Sequence, residues 1–313
     1  MFRRTRKLAL AEGLTAGFLF GTAAIFIRFM QDLDAFAIAF WRLVIACSAI
    51  AFLLVFLGRA LDLKLLGKNL KKLIVLSVLL GLHFVFFVSA VKDTSILNAT
   101  VLVNTTPIFS IFVSSFLFKL KPSRFAVAGL IVSFIGVGVV ALAETLTASS
   151  GSAQTGTSTS IKGDLEAILA ALVETFYLSY GRNVRSRMHL LPVMWFMYML
   201  AAVFVGVLGV GAARNVLSLP TNVVAMLALV GLGILPTTAA HTLYFSSLSH
   251  LKSFETASMA LLEPIGATIL GISLFQEVPT QLFVFGASLT LAGIFFVAKG
   301  ERREKFERDP KEV

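Results

Sequence analysis

A single cysteine, Cys47, stands in 313 residues, so no intrachain disulfide can form. Its place inside an apolar block reads as a small packing residue. Charge is scarce. Only 14% of residues are Asp, Glu, Lys or Arg, where a soluble domain carries about 25%. Also missing are HExxH, GxSxG, a paired-Asp motif and a phosphate-cradling glycine loop, which argues against hydrolase, metalloprotease and nucleotide-driven pump chemistry. The four histidines show no metal-ligand spacing, and no cofactor is expected.

What is present is hydrocarbon. Apolar residues make up 57% of the chain and come in blocks of about twenty, the length that crosses a bilayer as helix. A membrane barrel would alternate instead, and only helices or closed barrels satisfy the backbone in lipid. The fold expected is an all-α polytopic membrane protein. Ten blocks can be drawn, near 8–30, 35–57, 70–91, 95–118, 123–143, 163–182, 191–211, 223–248, 254–276 and 279–299. The basic start before the first block imitates a signal peptide, but the apolar run is too long and is read as the first span.

The chain repeats itself. Asn98–Pro122 returns, degraded, as Glu255–Pro279: advanced by 157 positions, Pro107 falls on Pro264, Pro122 on Pro279, Gly129 on Gly286 and Gly136 on Gly293. Internal repetition decides a fold before other signals do. The boundaries expected are a first five-helix unit over 1–143, a flexible Ser/Thr/Gly-rich extracytoplasmic linker over 144–162, a second five-helix unit over 163–299 and a charged cytoplasmic tail over 300–313.

The net charge of +10 marks membrane orientation rather than nucleic-acid binding. Of the 27 Lys and Arg, only Lys92, Lys162 and Arg214 fall opposite the N-terminal side, with Arg28 and Arg42 near or within blocks. That asymmetry expects both termini in the cytoplasm of a multi-pass protein of the cell membrane. A five-span unit is odd, so its copy is inverted, as in many secondary transporters.

Several residues carry a family resemblance. Tyr244–Leu248 (YFSSL), Glu263-Pro264 and Gln276-Glu277-Val278-Pro279-Thr280, with Pro107 and Pro122 in the first copy, Gly21 followed by Arg28, and Trp41-Arg42, resemble the EamA unit of the drug/metabolite transporter superfamily over roughly 8–299. Lys119 and Leu120 depart from it where an acidic residue is expected, leaving a loop-end carboxylate role to Glu277 alone. The resemblance implies ten spans, a central cavity between halves, alternating access, and amino acids or other small metabolites as substrates, with export among the directions allowed.

Ionisable side chains in hydrocarbon are costly and tend to face a cavity or a partner. His83, Asn104, Glu174, His241 and Glu263 come from different blocks yet share a depth, as a binding site between two halves requires. Thr106 is the first-copy counterpart of Glu263, and Tyr177 shares a helical face with Glu174. Pro107 and Pro264 are expected to kink their helices; the alternative for Glu263 is a purely structural pairing. Glu174 or Glu263 is a candidate carrier of a coupling proton. His83 and His241 are expected to line the cavity or bond carbonyls, not to bind metal. Arg42 is a cavity candidate for a substrate carboxylate, but a pair with Asp32 or Asp34 in the adjoining outer loop is favoured. Gly13, Gly17 and Gly21 form a small-residue stripe for close helix contact. The reading is a secondary carrier of small polar organic solutes in the lipid bilayer; an intramembrane enzyme or a ligand-gated channel or receptor using the same polar cluster is the competing class.

Overall fold

The computed structural model describes residues 5–59, 63–117, 122–150, 160–185, 188–212, 214–267, 269 and 280–308. Every element among them is helical. Eight segments are long and apolar enough to cross a membrane: Arg6–Arg28, Ala35–Phe56, Leu70–Asp93, Asn98–Phe116, Arg124–Ala143, Leu190–Gly211, Val223–Ser247 and Gln281–Gly300. Two of the ten expected blocks are absent from that set. The helix Ile161–Arg185 has the length, at 25 residues, but carries Lys162, Asp164, Glu166, Glu174, Arg182 and Arg185. The block at 254–276 runs out of the described residues, and Gln276, Glu277, Val278 and Pro279 lie outside them, as do Lys119, Leu120 and Lys121.

The first segment is two helices, α1 (Arg6–Phe20) and α2 (Thr22–Arg28), interrupted at Gly21. Thr5 caps α1 by accepting from Leu8 N at 3.2 Å. Helix α3 (Ala35–Phe56) is capped by Asp34, which accepts from Phe36 N at 2.8 Å; Gly58, at φ 59°, takes the chain out of it in a left-handed conformation. After α4 (Leu63–Lys68) comes α5 (Leu70–Asp93). The fourth segment is broken into α6 (Ile96–Val103) and α7 (Thr106–Phe116). Pro107 sits in the first turn of α7, where its missing N–H costs nothing, so the break falls at Asn104-Thr105 just before it.

Helix α8 (Arg124–Ser150) continues seven residues into the stretch expected to be a flexible linker, since Ala, Leu and Glu persist there before the Ser/Gly/Thr run. Residues 151–159 of that linker lie outside the described residues, and its last two, Ile161 and Lys162, already belong to the next helix. Helices α9 (Ile161–Arg185) and α10 (Leu190–Gly211) follow. The next segment is α11 (Val223–Leu232), a nine-residue π-helical stretch Gly233–His241, and α12 (Thr242–Ser247). Then come α13 (Ser253–Met259), a 3-10 turn Ala260–Leu262 and helical residues 263–267. The last helix, α14 (Gln281–Arg308), extends into the expected tail because Glu, Arg and Lys are good helix formers.

Close helix pairs run through the packing, the largest of them α8 with α14 and α5 with α9. Helices α8 and α14 run antiparallel at backbone contact: a Cβ on Gly129 would strike Gly293 and Val297 main chain, and one on Gly136 would strike Gly286 O and Thr290 N. Ser133 Oγ donates to Thr290 O at 3.2 Å between them. Helices α3 and α10 are antiparallel as well, with Phe40 against Gly206 and Phe36 against Gly209. Around this core the surface is apolar, with Phe52, Phe56, Phe116, Val207 and Phe295 all more than half exposed, as a bundle solvated by lipid needs.

Gly13 and Gly17 of α1 pack on Met259 and Leu262, and Gly21 on Glu263, Gly266 and Ala267. At the same interface Arg6 forms an ion pair with Glu255, which is 1% exposed and also accepts from Lys252 N at 2.8 Å. Arg6 further donates to Ala298 O at 3.0 Å, tying α1, α13 and α14 together. Removing Arg6 takes a charged donor away from a buried carboxylate. Arg6→Ala is therefore expected to destabilise the protein by about 2 kcal/mol, read as a lower melting temperature in detergent, with Glu255→Gln in the same background recovering part of the loss.

Candidate functional site

One cavity collects the mid-depth polar residues. Its wall is formed by Arg42 of α3, His83 of α5, Asn104 at the α6–α7 break, Glu174 of α9, His241 at the end of the π stretch, and Glu263 after the 3-10 turn. Phe20, Ala23, Phe84, Phe87, Val103 and Ala260 complete it. The six polar residues are buried, each 6% exposed or less. Arg42, His83 and Glu174 project from unbroken helices, whereas Asn104, His241 and Glu263 sit at or beside local breaks: Asn104-Thr105 in the fourth segment, the π stretch in the eighth expected block and the 3-10 turn in the ninth. The Gly21 break of the first segment stands between Phe20 and Ala23 of the wall. Where the helical ladder is interrupted, freed backbone groups must be re-satisfied, and such places are tolerated in membranes only inside protein or beside a cavity.

The two glutamates are each held from the break in the fourth segment. Asn104 Nδ2 donates to Glu263 Oε2 at 3.2 Å and to Thr100 O at 2.8 Å. Thr106 Oγ1 stands 3.2 Å from Glu174 Oε2 and 2.7 Å from Val103 O. His83 Nδ1 lies 3.1 Å from Ala170 O. A carbonyl only accepts, so Nδ1 carries a proton and Nε2 is the nitrogen free to accept in the neutral ring. The same Nδ1 is 3.9 Å from Glu174 Oε2. His83 and His241 face each other edge to face, centroids 5.8 Å apart. His241 is also flanked by Phe20 and Phe84, each at 4.7 Å. No cluster of three metal-ligating side chains exists among the described residues.

Arg42 departs from the favoured expectation. Asp34 is occupied as the α3 cap and by Arg214 Nη1 at 3.4 Å. Arg42 instead turns inward, with Nε donating to Thr237 Oγ1 at 2.9 Å and the guanidinium 3.8 Å over the Phe84 ring. Thr106 and Tyr177 are buried but are not on the cavity wall. Thr106 sits behind it on Glu174, and Tyr177 packs on Phe245 at 5.7 Å. Pro107 and Pro264 each follow a break, so the helical discontinuity precedes the proline by a turn or less.

Thr237, Tyr198 and the phenylalanines Phe20, Phe84 and Phe87 were not singled out by sequence. The usable signal was Pro236. Proline has no N–H, so it leaves an acceptor unbonded one turn back, and a threonine follows it directly. Thr237 Oγ1 donates to Leu232 O at 2.6 Å and Thr238 Oγ1 to Gly233 O at 2.7 Å, which supports the wider π turn. The phenylalanines had no signal, being three of 29.

The model of the EamA-like transporter family matches residues 7–142 and 161–299. An uncharacterized transporter of Archaeoglobus fulgidus is 27% identical over 275 residues, covering 87% of this chain and 90% of that protein. The uncharacterized transporter YdfC of Bacillus subtilis is 28% identical over 210 residues, 66% of this chain and 63% of its own length. A crystal structure superposes with a TM-score of 0.76 at 18% identity, covering 96% of this chain and 100% of that one, which speaks to fold alone.

Proposed function

This chain belongs to the EamA-like transporter family, and from that we propose that it is a secondary carrier of small polar organic metabolites, most closely amino acids or related compounds, working by alternating access in the cell membrane. The observation that carries the reading is the cavity in which Arg42, His83, Asn104, Glu174, His241 and Glu263 converge from six separate segments. An assembly of cation, carboxylates and amide ringed by phenylalanine suits a solute with polar ends and an apolar body.

The proposal includes ten spans arranged as two inverted five-helix units. Supporting it, Gly129 meets Gly293 and Gly136 meets Gly286, so each glycine faces the repeat counterpart of the other, while Ser133 bonds Thr290, its own counterpart. Antiparallel contact between corresponding helices is what an axis lying in the membrane plane produces. His83 and His241, one position from exact correspondence, also meet across it. A coupling proton is assigned to Glu174 or Glu263, each hydrogen-bonded to a neutral partner rather than to a cation.

The test is counterflow. Purified protein in liposomes preloaded with an amino-acid mixture is expected to accelerate entry of a labelled member at least about tenfold over protein-free vesicles. Ion-like conductance without exchange would point to a channel, and conversion to a new product to an enzyme; either result removes the carrier.

A further inference from the structure

Arg42 is the one cavity cation among the described residues, and neither cavity carboxylate forms an ion pair with it there. It is 1% exposed, and Nη1 has no hydrogen-bond partner among the described residues. It contacts Thr237 Oγ1 through Nε and the Phe84 face beneath the guanidinium. A guanidinium stays protonated in proteins, and a buried unpaired charge is strongly unfavourable. A permanent charge with no direct ion-pair partner among the described residues is poised for an anion brought from outside.

Resting on the carrier reading above, we propose that Arg42 is the receptor for a carboxylate of the transported solute and that Thr237 is the residue that positions it. Nε is engaged, so the Nη side is what remains, and a carboxylate pairs with guanidinium N–H groups side on. A phosphate dianion would place two charges against one cation in a cavity already holding Glu174 and Glu263. Thr237 is itself fixed at both ends. Its hydroxyl proton goes to Leu232 O at 2.6 Å, which turns an oxygen lone pair to Arg42. Its carbonyl accepts from Tyr198 OH at 2.7 Å. The π stretch thus holds the guanidinium edge while Phe84 holds its plane.

The test uses four solutes with one side chain and different ends: L-leucine, L-leucinamide, isoamylamine and 4-methylpentanoate. Binding to the full-length protein in detergent is measured by calorimetry and thermal shift in carboxylate-free buffer. Leucine and 4-methylpentanoate are expected to bind, the amide and the amine at least about tenfold more weakly, the loss of one charge-assisted pair. Arg42→Gln is expected to erase that preference. Thr237→Val is expected to weaken the two carboxylates about tenfold, and Thr237→Ser, which keeps the hydroxyl, to restore them. If Arg42→Gln does not fold, Arg42→Lys, which keeps charge but not the planar fork, is expected to bind the carboxylates more weakly than wild type. No carboxylate binding, equal binding of the amide, or a preference that survives Arg42→Gln overturns the proposal. Counterflow with the same solutes separates the two readings. Arg42-dependent binding without exchange sinks the carrier and leaves the carboxylate site. Exchange indifferent to the carboxylate and to Arg42→Gln does the reverse.

Discussion

Glu263→Gln should leave solute exchange running while stopping proton-driven accumulation. The side chain sits in the cavity wall, and it accepts a hydrogen bond from the Asn104 amide at 3.2 Å. Glutamine has nearly the same volume and offers a carbonyl oxygen to the same donor, so the packing of residues 260–267 is preserved. What it cannot do is gain and lose a proton. Counterflow needs only that the loaded carrier reorient, whereas accumulation against a gradient needs a proton on each cycle. The expected result in vesicles with an imposed pH gradient is a fall in accumulation of about 100-fold, equivalent to about 2.7 kcal/mol, with counterflow within about threefold of wild type. Glu174→Gln is the matched test, since Glu174 is held by Thr106 in the same manner. Loss of exchange as well would make the affected residue a solute contact. Unchanged accumulation in both variants would leave neither carboxylate a coupling role.

The second large effect is structural. Gly136→Val is expected to prevent a stable bundle from forming. A Cβ at that position would come within 2.5 Å of Thr290 N and 2.7 Å of Gly286 O, and these are main-chain atoms that cannot rotate aside. Separating α8 from α14 breaks the contact along their shared length, and overpacking of a close helix seam costs about 3 kcal/mol or more. Loss of a monodisperse species in detergent is the measurement. Gly138→Val on the same helix, where a Cβ meets nothing within 4 Å, is the control and should behave as wild type. A well-folded Gly136→Val protein would mean that α8 and α14 do not touch as described.

Much of this was legible because helical membrane sequences state their constraints openly. The repeat was visible through Pro107, Pro264 and the glycines, residues whose geometry is hard to replace. His83, Asn104, Glu174, His241 and Glu263 stood out because polar and ionisable groups in hydrocarbon need a reason, and all five line one cavity. Arg42 was misjudged for a physical cause: Asp34 is near in sequence, but it is committed to the α3 N-terminus and Arg214, which sequence distance does not reveal. The π stretch was missed because hydropathy is blind to a change from four-residue to five-residue turns. The interruption of the fourth segment was placed at Pro107, whereas the chain breaks at Asn104-Thr105 because proline is comfortable in a first turn. The linker boundary slipped because α8 ends by helix propensity rather than by membrane thickness.

The glycine seam between α8 and α14 also limits what can move. Two backbones in direct contact have no side chains between them to repack, so on the carrier reading proposed above that pair would act as a hinge pin rather than a moving part. The strokes would then fall to the segments already interrupted at Gly21, Asn104-Thr105, Gly233–His241 and Ala260–Leu262, each of which borders the cavity wall.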